Sequence, residues 1–596
     1  MKGGQYIMRW SLNELYDSFE SDAFITDSKR ILEMISEVNT FAGEALINTD
    51  NAKEKAEKYL NYDEKLSKLI SKVLGYSSLT MAVDARNEVA KENYSRIAMN
   101  LSDLTKAEVL FTRFIDEIGN LQELIDSSAY LKEHEFILKE IKKNAKYLLS
   151  NEEEILISKM SNTGSKAWTN LQNILTSTLL VDIEQDGEMK KLPLPAVRNL
   201  AYDKDPAVRK KAFEAELAAY EKVEESSAAA LNGIKGEVLT VSELRGFKHP
   251  LEETLLQSRM EKEALDAMFI AIKESLPMFR KYLRRKAELL GHENGLPFYD
   301  LFAPMGESQM HFTFEEAMNY IVKNFNTFST RLGDYAKNAY EKNWMDVEPR
   351  DGKRGGAFCS NLHAIEESRV MSNFDGSFSN MTTLAHELGH GYHGFNLKDE
   401  TILNSSYPMP IAETASIFCE TIVVNAALKE MDDQEAMTIL EQSISDATQV
   451  IVDIYSRYLF ETKLFETRKD HPLSVKELKS YMVEAQKEAY GEGLDQEVLH
   501  PYMWLNKTHY YSAGRNFYNF PYAFGLLFSK GLYAVYLQRG EEFVPQYDEL
   551  LSVTGKKDIR EVAKKMNIDV TNPDFFRDSL KIVETNIEKF LSLTEK

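Results

Sequence analysis

Along most of the chain apolar residues recur at three- and four-residue steps, with Lys and Glu filling the positions between. That period belongs to amphipathic helices, so the pattern predicts a mainly α protein with a large helical body and only a small β element. From Asp205 to about Phe247 the spacing predicts helix, with Asp205 as N-cap and Pro206 as first helical residue. Gly233 and Gly236 weaken the later part and allow a division into two helices. A second long helical pattern runs from Thr313 to about Trp344. Residues 181–192 carry an Asp186-Gly187 turn, which predicts a hairpin. Residues 354–362 and 368–374 flank a short polar loop and read as two further strands. Pro193 and Pro195 interrupt the pattern in LPLPAV, which sets an expected boundary between residues 1–195, a helical N-terminal domain, and residues 196–596.

Composition narrows the class. Of 596 residues, 43% are hydrophobic and 28% charged, as in a soluble globular protein. Lys and Arg number 71 against 94 Asp and Glu, a formal charge of −23. Such a surface repels phosphate backbones and anionic bilayers, so neither nucleic acid nor membrane is an expected partner. Two cysteines, Cys359 and Cys419, are too few for a disulfide framework and fit a reducing compartment. The N-terminal MKGGQYIMRWSLNEL has no apolar run of signal-peptide type, and no stretch reads as the roughly 18 to 20 apolar residues a bilayer span needs. The expected location is cytoplasmic.

The chemistry gathers at residues 381–393, MTTLAHELGHGYH. His386 and His390 stand at i and i+4, so on a helix both imidazoles share one face and can hold one cation. Glu387 is offset by about 100° and sits beside the metal's open position, as a general base would. A surface helix bearing His and Glu would give the same letters. The flanking Met381, Leu384, Ala385, Leu388 and Tyr392 argue instead for burial, where imidazole and carboxylate must be paired or metal-bound. A catalytic zinc site needs a third protein ligand. His393 is one choice. The better one is Glu413, in the apolar text PMPIAETASIFCETIVVNAAL, where Pro410 suits a first helical turn and an unpaired carboxylate would be costly. Glu420, seven residues on, shares its face and would orient a histidine through the ring's other nitrogen. The metzincin spacing is absent, because His393 and Asn396 occupy its Gly and His positions.

LAHELGHGYH, IAETASIFCE, DGKRGGAFCSN and HYYSAGRNFYNFPYAFG together resemble the thimet oligopeptidase-like zinc peptidases, most closely the oligoendopeptidase F branch, over nearly the whole chain. The resemblance implies a zincin-type fold of two lobes around a deep substrate channel. It implies one Zn2+ per chain held by His386, His390 and Glu413, with Glu387 as base, and catalytic function for residues 196–596. It also implies a histidine and tyrosines that stabilise the oxyanion, matched here to His509, Tyr518 and Tyr522, with Tyr511 in reserve. Residues 502–536 hold seven of the 29 tyrosines, where an even spread gives about two. The expected activity is hydrolysis of internal bonds in short peptides. An exopeptidase on the same zinc core and a non-catalytic peptide-binding protein are the alternatives. GGAFCSN, if an edge strand, could pair with an extended substrate through its main chain. The sequence leaves the oligomeric state open.

Overall fold

The computed structural model describes residues 8–185, 187–306 and 310–595. Helices dominate it. Among the described residues, strands β1 (Leu180–Gln185) and β2 (Glu188–Pro193) form one antiparallel hairpin, and β3 (Met345–Asp346), β4 (Phe358–Leu362) and β5 (Glu367–Met371) form one small sheet. The chain divides into two compact units, each built from three segments. The first unit comprises Met1–Leu148, Met310–Glu430 and Val535–Ile568; the second comprises Leu149–Gln309, Met431–Ala534 and Asp569–Lys596.

In the first unit, helix α1 (Asp22–Ala45) buries Phe24, Ile31, Met34, Ile35, Val38 and Ala42 at helical spacing. It lies against α2 (Ala52–Val83), and their shared core takes in Leu362 at the end of β4. Each of the larger of these side chains removed from water contributes roughly 1.5–3 kcal/mol. The pattern over 313–344 resolves into α3 (Phe314–Phe328) and α4 (Thr330–Glu341). Thr313 and Glu316 form a reciprocal capping box at the start of α3. Ser329 breaks the run: its backbone is extended (φ −156°, ψ 130°) and its hydroxyl accepts from Leu332 N, capping α4. In the sheet the order is β3-β5-β4, with β4 antiparallel to β5 from Phe358↔Met371 to Leu362↔Glu367. This places β4 at an edge. The chain from β5 leads into helix α5 (Phe378–Asn396), followed by α6 (Thr414–Glu430).

In the second unit the β1/β2 hairpin forms as expected, with Gly187 at φ +80°; Asp186 lies outside the described residues. Asp205 caps the helix Pro206–Tyr220 by accepting from Ala207 N at 2.8 Å. The break that follows is not at the glycines. The next helix, Glu224–Leu244, runs through both Gly233 and Gly236. A Cβ at Gly233 would strike the Trp168 indole, so tertiary packing needs glycine there, and one at Gly236 would displace the end of the Arg468 side chain. The long helix Lys262–Leu289 buries Lys286 against Glu441, and Tyr282 donates to the same carboxylate oxygen, both at 2.7 Å.

Met409–Glu430 is long and apolar enough to cross a bilayer, which corrects the expectation that no stretch qualifies; 67% of its most apolar window is buried within the protein. It is packed as a core helix and carries three carboxylates, Glu413, Glu420 and the terminal Glu430.

Candidate metal centre

Ser377 starts α5 by accepting from Asn380 N at 3.2 Å, after a left-handed Gly376 at φ +92°. One face of α5 buries Met381, Leu384, Ala385, Leu388 and Tyr392 in the first unit. His386 and His390 fall on the other face with ring centroids 5.0 Å apart. Gly389, between them, touches the start of α6: a Cβ there would collide with Ala415 O and Ser416 Cα. This close approach brings in Glu413, the residue just before α6. Its Oε2 lies 3.2 Å from His386 Nε2 and 3.3 Å from His390 Nε2, and accepts from Ser416 Oγ at 2.7 Å. Ligand atoms of the three residues all lie within 4.8 Å of one another.

On the far side of His386, Nδ1 stands 3.1 Å from Glu420 Oε2. A carboxylate accepts, so Nδ1 donates to Glu420; Nε2, facing Glu413 Oε2, donates there in the absence of a cation and is the nitrogen a metal would take over. Burial alone would lower the pKa of His386, but hydrogen bonds to Glu413 and Glu420 push it up to about 10. Burial would likewise raise Glu413, and the two imidazoles hold it well below the usual carboxylate range instead. The site pulls positive charge to one point, reached by two imidazole nitrogens and a carboxylate oxygen. That donor set fits a divalent ion of zinc type.

Glu387 is 7% exposed. Burial raises its pKa, against the lowering influence of His386, His390 and the Cys359 backbone N–H on β4. A carboxyl poised toward neutrality can both take and return a proton. Asn361, also on β4, donates to His390 O at 3.1 Å and ties the edge strand to α5. His393 turns away. It is fully buried, its Nε2 meets Thr554 Oγ1 at 2.8 Å, and its ring stacks on Tyr407 with centroids 3.9 Å apart.

His509, Tyr518 and Tyr522 belong to the second unit, where they form one cluster. His509 sits in a short 3₁₀ turn, Thr508–Tyr511. Its ring lies 5.8 Å from that of Tyr518, and Tyr522 Oη donates to Tyr518 Oη at 2.9 Å. The Arg515 guanidinium lies over the Tyr518 ring at 5.3 Å. Tyr511 is 1% exposed within the unit's apolar core. Asn519 contacts His509 directly, at 2.8 Å, and no sequence spacing singles it out.

Two histidines one turn apart, a glutamate from the next helix and a buried glutamate beside them define a zincin-type metallopeptidase on a mainly α scaffold. Residues 199–582 match Peptidase family M3, and residues 118–179 match the Oligopeptidase F segment that accompanies it. The chain belongs to Peptidase family M3; it is a metallo-oligopeptidase, and its substrates are peptides. It is 24% identical to oligopeptidase PepF of Bacillus subtilis, over 98% of this chain and 87% of that one. It is also 24% identical to an oligoendopeptidase F homologue of Borreliella burgdorferi, over 91% of each. The crystal structure of oligoendopeptidase-F from Enterococcus faecium superposes with a TM-score of 0.72 at 19% identity, covering 95% of this chain and 98% of that one.

Proposed function

We propose that the protein is a zinc-dependent endopeptidase that cuts internal bonds of short peptides, with His386, His390 and Glu413 holding one zinc ion and Glu387 as general base. One observation carries the reading: a single Glu413 oxygen stands 3.2 and 3.3 Å from the two Nε2 atoms, with buried Glu387 next in sequence to His386. Zinc bound there supplies a Lewis acid that polarises the scissile carbonyl and acidifies water. The chain's own residues do the rest. Glu387 takes the proton from the attacking water and passes it to the leaving amine, a role its raised pKa suits. His509 and the Tyr518–Tyr522 pair donate to the oxyanion as it develops. The free edge of β4 offers main-chain partners to an extended peptide, which favours broad side-chain tolerance.

All the residues given roles lie within 196–596, and we assign catalysis to that stretch and a supporting role to residues 1–195. A cytoplasmic enzyme acting on peptides, without nucleic acid or membrane partners, agrees with the formal charge of −23.

The test is a blocked, internally quenched peptide with products identified by mass. Internal cleavage should stop with chelator and return with zinc. Glu387→Gln should retain one zinc per chain and lose at least about 10²–10⁴ in kcat. Trimming from one end of unblocked peptides alone would point to an exopeptidase. An active Glu387→Gln enzyme would overturn the assignment of the base.

A further inference from the structure

His509 has one ring nitrogen committed inside the second unit: Nε2 lies 2.8 Å from Asn519 Nδ2. Which end of the Asn519 amide faces the ring decides which nitrogen carries the imidazole proton. Contact with histidine alone would leave the question open, because each ring nitrogen can donate or accept. Arg457 removes that freedom. Its Nη1 lies 3.2 Å from Asn519 Oδ1, and a guanidinium has donors only. The carbonyl end of the amide must therefore face Arg457, and the NH₂ end must face His509. Nε2 is then an acceptor and bears no hydrogen. A neutral imidazole holds one proton, which must be on Nδ1.

The neutrality of the ring has its own causes. His509 is 8% exposed. Burial, and then the positive charges of Arg457, Lys235, Lys507 and Arg515, push its pKa down to about 3. Nδ1 has no hydrogen-bond partner among the described residues, so its N–H is available to a ligand.

The orienting groups are themselves held. Arg457 is ion-paired with Asp453, which is 4% exposed and ends a π-turn, Gln449–Asp453, set in an otherwise α-helical run. Such turns are rare and are found frequently at functional sites. The loop before Asn519 is fixed from a second side. Buried Lys235 donates to Asn516 Oδ1 at 2.8 Å and pairs with Glu461 at 3.4 Å. Phe517 follows at φ +51°, a conformation non-glycine residues hold only when their surroundings impose it. Two buried cation–carboxylate pairs thus set the position of one amide.

We propose that Asn519, oriented by Arg457, is a positioning residue that fixes His509 as the Nδ1–H tautomer, so that Nδ1 is the donor the ring offers during peptide hydrolysis. The catalytic half of this rests on the reading of His509 as an oxyanion donor. In the Nε2–H tautomer the free nitrogen would present a lone pair where the oxyanion needs a hydrogen.

Full-length enzyme labelled with ¹⁵N-histidine tests it by NMR at neutral pH, the His509 signals being assigned as those lost in His509→Gln. The wild type should show Nδ1 protonated and Nε2 as a hydrogen-bonded acceptor. Asn519→Asp keeps the side chain's shape but turns the facing group into an acceptor, so Nε2 should gain a hydrogen. With an unchanged melting temperature, kcat should fall about 10- to 100-fold while KM stays within about twofold. An Nε2–H signal in the wild type, or unchanged kcat in Asn519→Asp, would overturn the proposal. Unimpaired turnover in His509→Gln would sink the oxyanion reading and the catalytic half with it, and the nitrogen signals would still decide the tautomer.

Discussion

At the scale of single residues, the metal centre depends on which nitrogen of each histidine is left free. Glu420 makes that choice for His386 by accepting from Nδ1 at 3.1 Å. Replacing Glu420 with Ala leaves Glu413 and both imidazoles in place, but lets the His386 ring rotate and change tautomer. Zinc affinity should then fall about 10- to 100-fold, read by competition with a chelator of known affinity, while kcat at saturating zinc changes much less. Equal affinity in Glu420→Ala would show that the ring is held by packing alone. The residues differ in how legible they were. The i, i+4 histidines declare themselves because their neighbourhood is a property of one helix. Glu413 and Glu420 needed a further argument, that carboxylates in apolar text must be paired. Asn519 gave no signal: its meaning comes from Arg457, 62 positions away, and from a contact no periodicity encodes.

At the scale of elements, the site is a junction between α5 and α6, and Gly389 sets how closely they meet. A methyl group there would press on Ala415 O and Ser416 Cα, backbone atoms that cannot swing aside. Gly389→Ala should therefore destabilise the protein by about 1–3 kcal/mol and also displace Glu413. Both a lower melting temperature and a raised zinc dissociation constant are expected; a drop in melting temperature with unaltered affinity would mean that α6 yields elsewhere. The same physics explains where sequence reading at this scale succeeded and failed. The hairpin at β1/β2 and the Asp205–Pro206 start were legible because turn and cap chemistry is local. Gly233 and Gly236 were read as weak points in a helix. They are instead points of contact with Trp168 and Arg468, because packing outweighs a propensity cost of about 1 kcal/mol. Thr313 to Trp344 read as one run because a single extended residue, Ser329, divides helices whose apolar spacing is otherwise continuous.

At the scale of the whole molecule, acid stability is set by opposing terms. A chain with a formal charge of −23 repels itself, and mild acidification relieves that repulsion. Burial of His393 in the first unit and of His509 in the second acts in the other direction. Burial, with a smaller contribution from His390, pushes the pKa of His393 down to about 3. His509 is pushed to the same value. In the unfolded chain both titrate near 6.5. Between about pH 3 and 6.5 the unfolded state therefore binds more protons than the native state at these positions, and their contribution to stability falls as pH falls. Each should cost up to about 1.4 kcal/mol per pH unit well below 6.5. Other groups titrate in the same range, so the term is isolated by difference. His393→Gln keeps an amide donor for Thr554 and abolishes the titration. Urea unfolding of the two proteins with chelator present, at steps from pH 7.5 to pH 5, removes metal release from the comparison. The wild type should lose stability relative to His393→Gln steadily below pH 6.5, and the gap should be constant above pH 7. Parallel curves down to pH 5 would mean that the native protein protonates His393 readily, and that its contacts with Thr554 and Tyr407 open well before the unit unfolds.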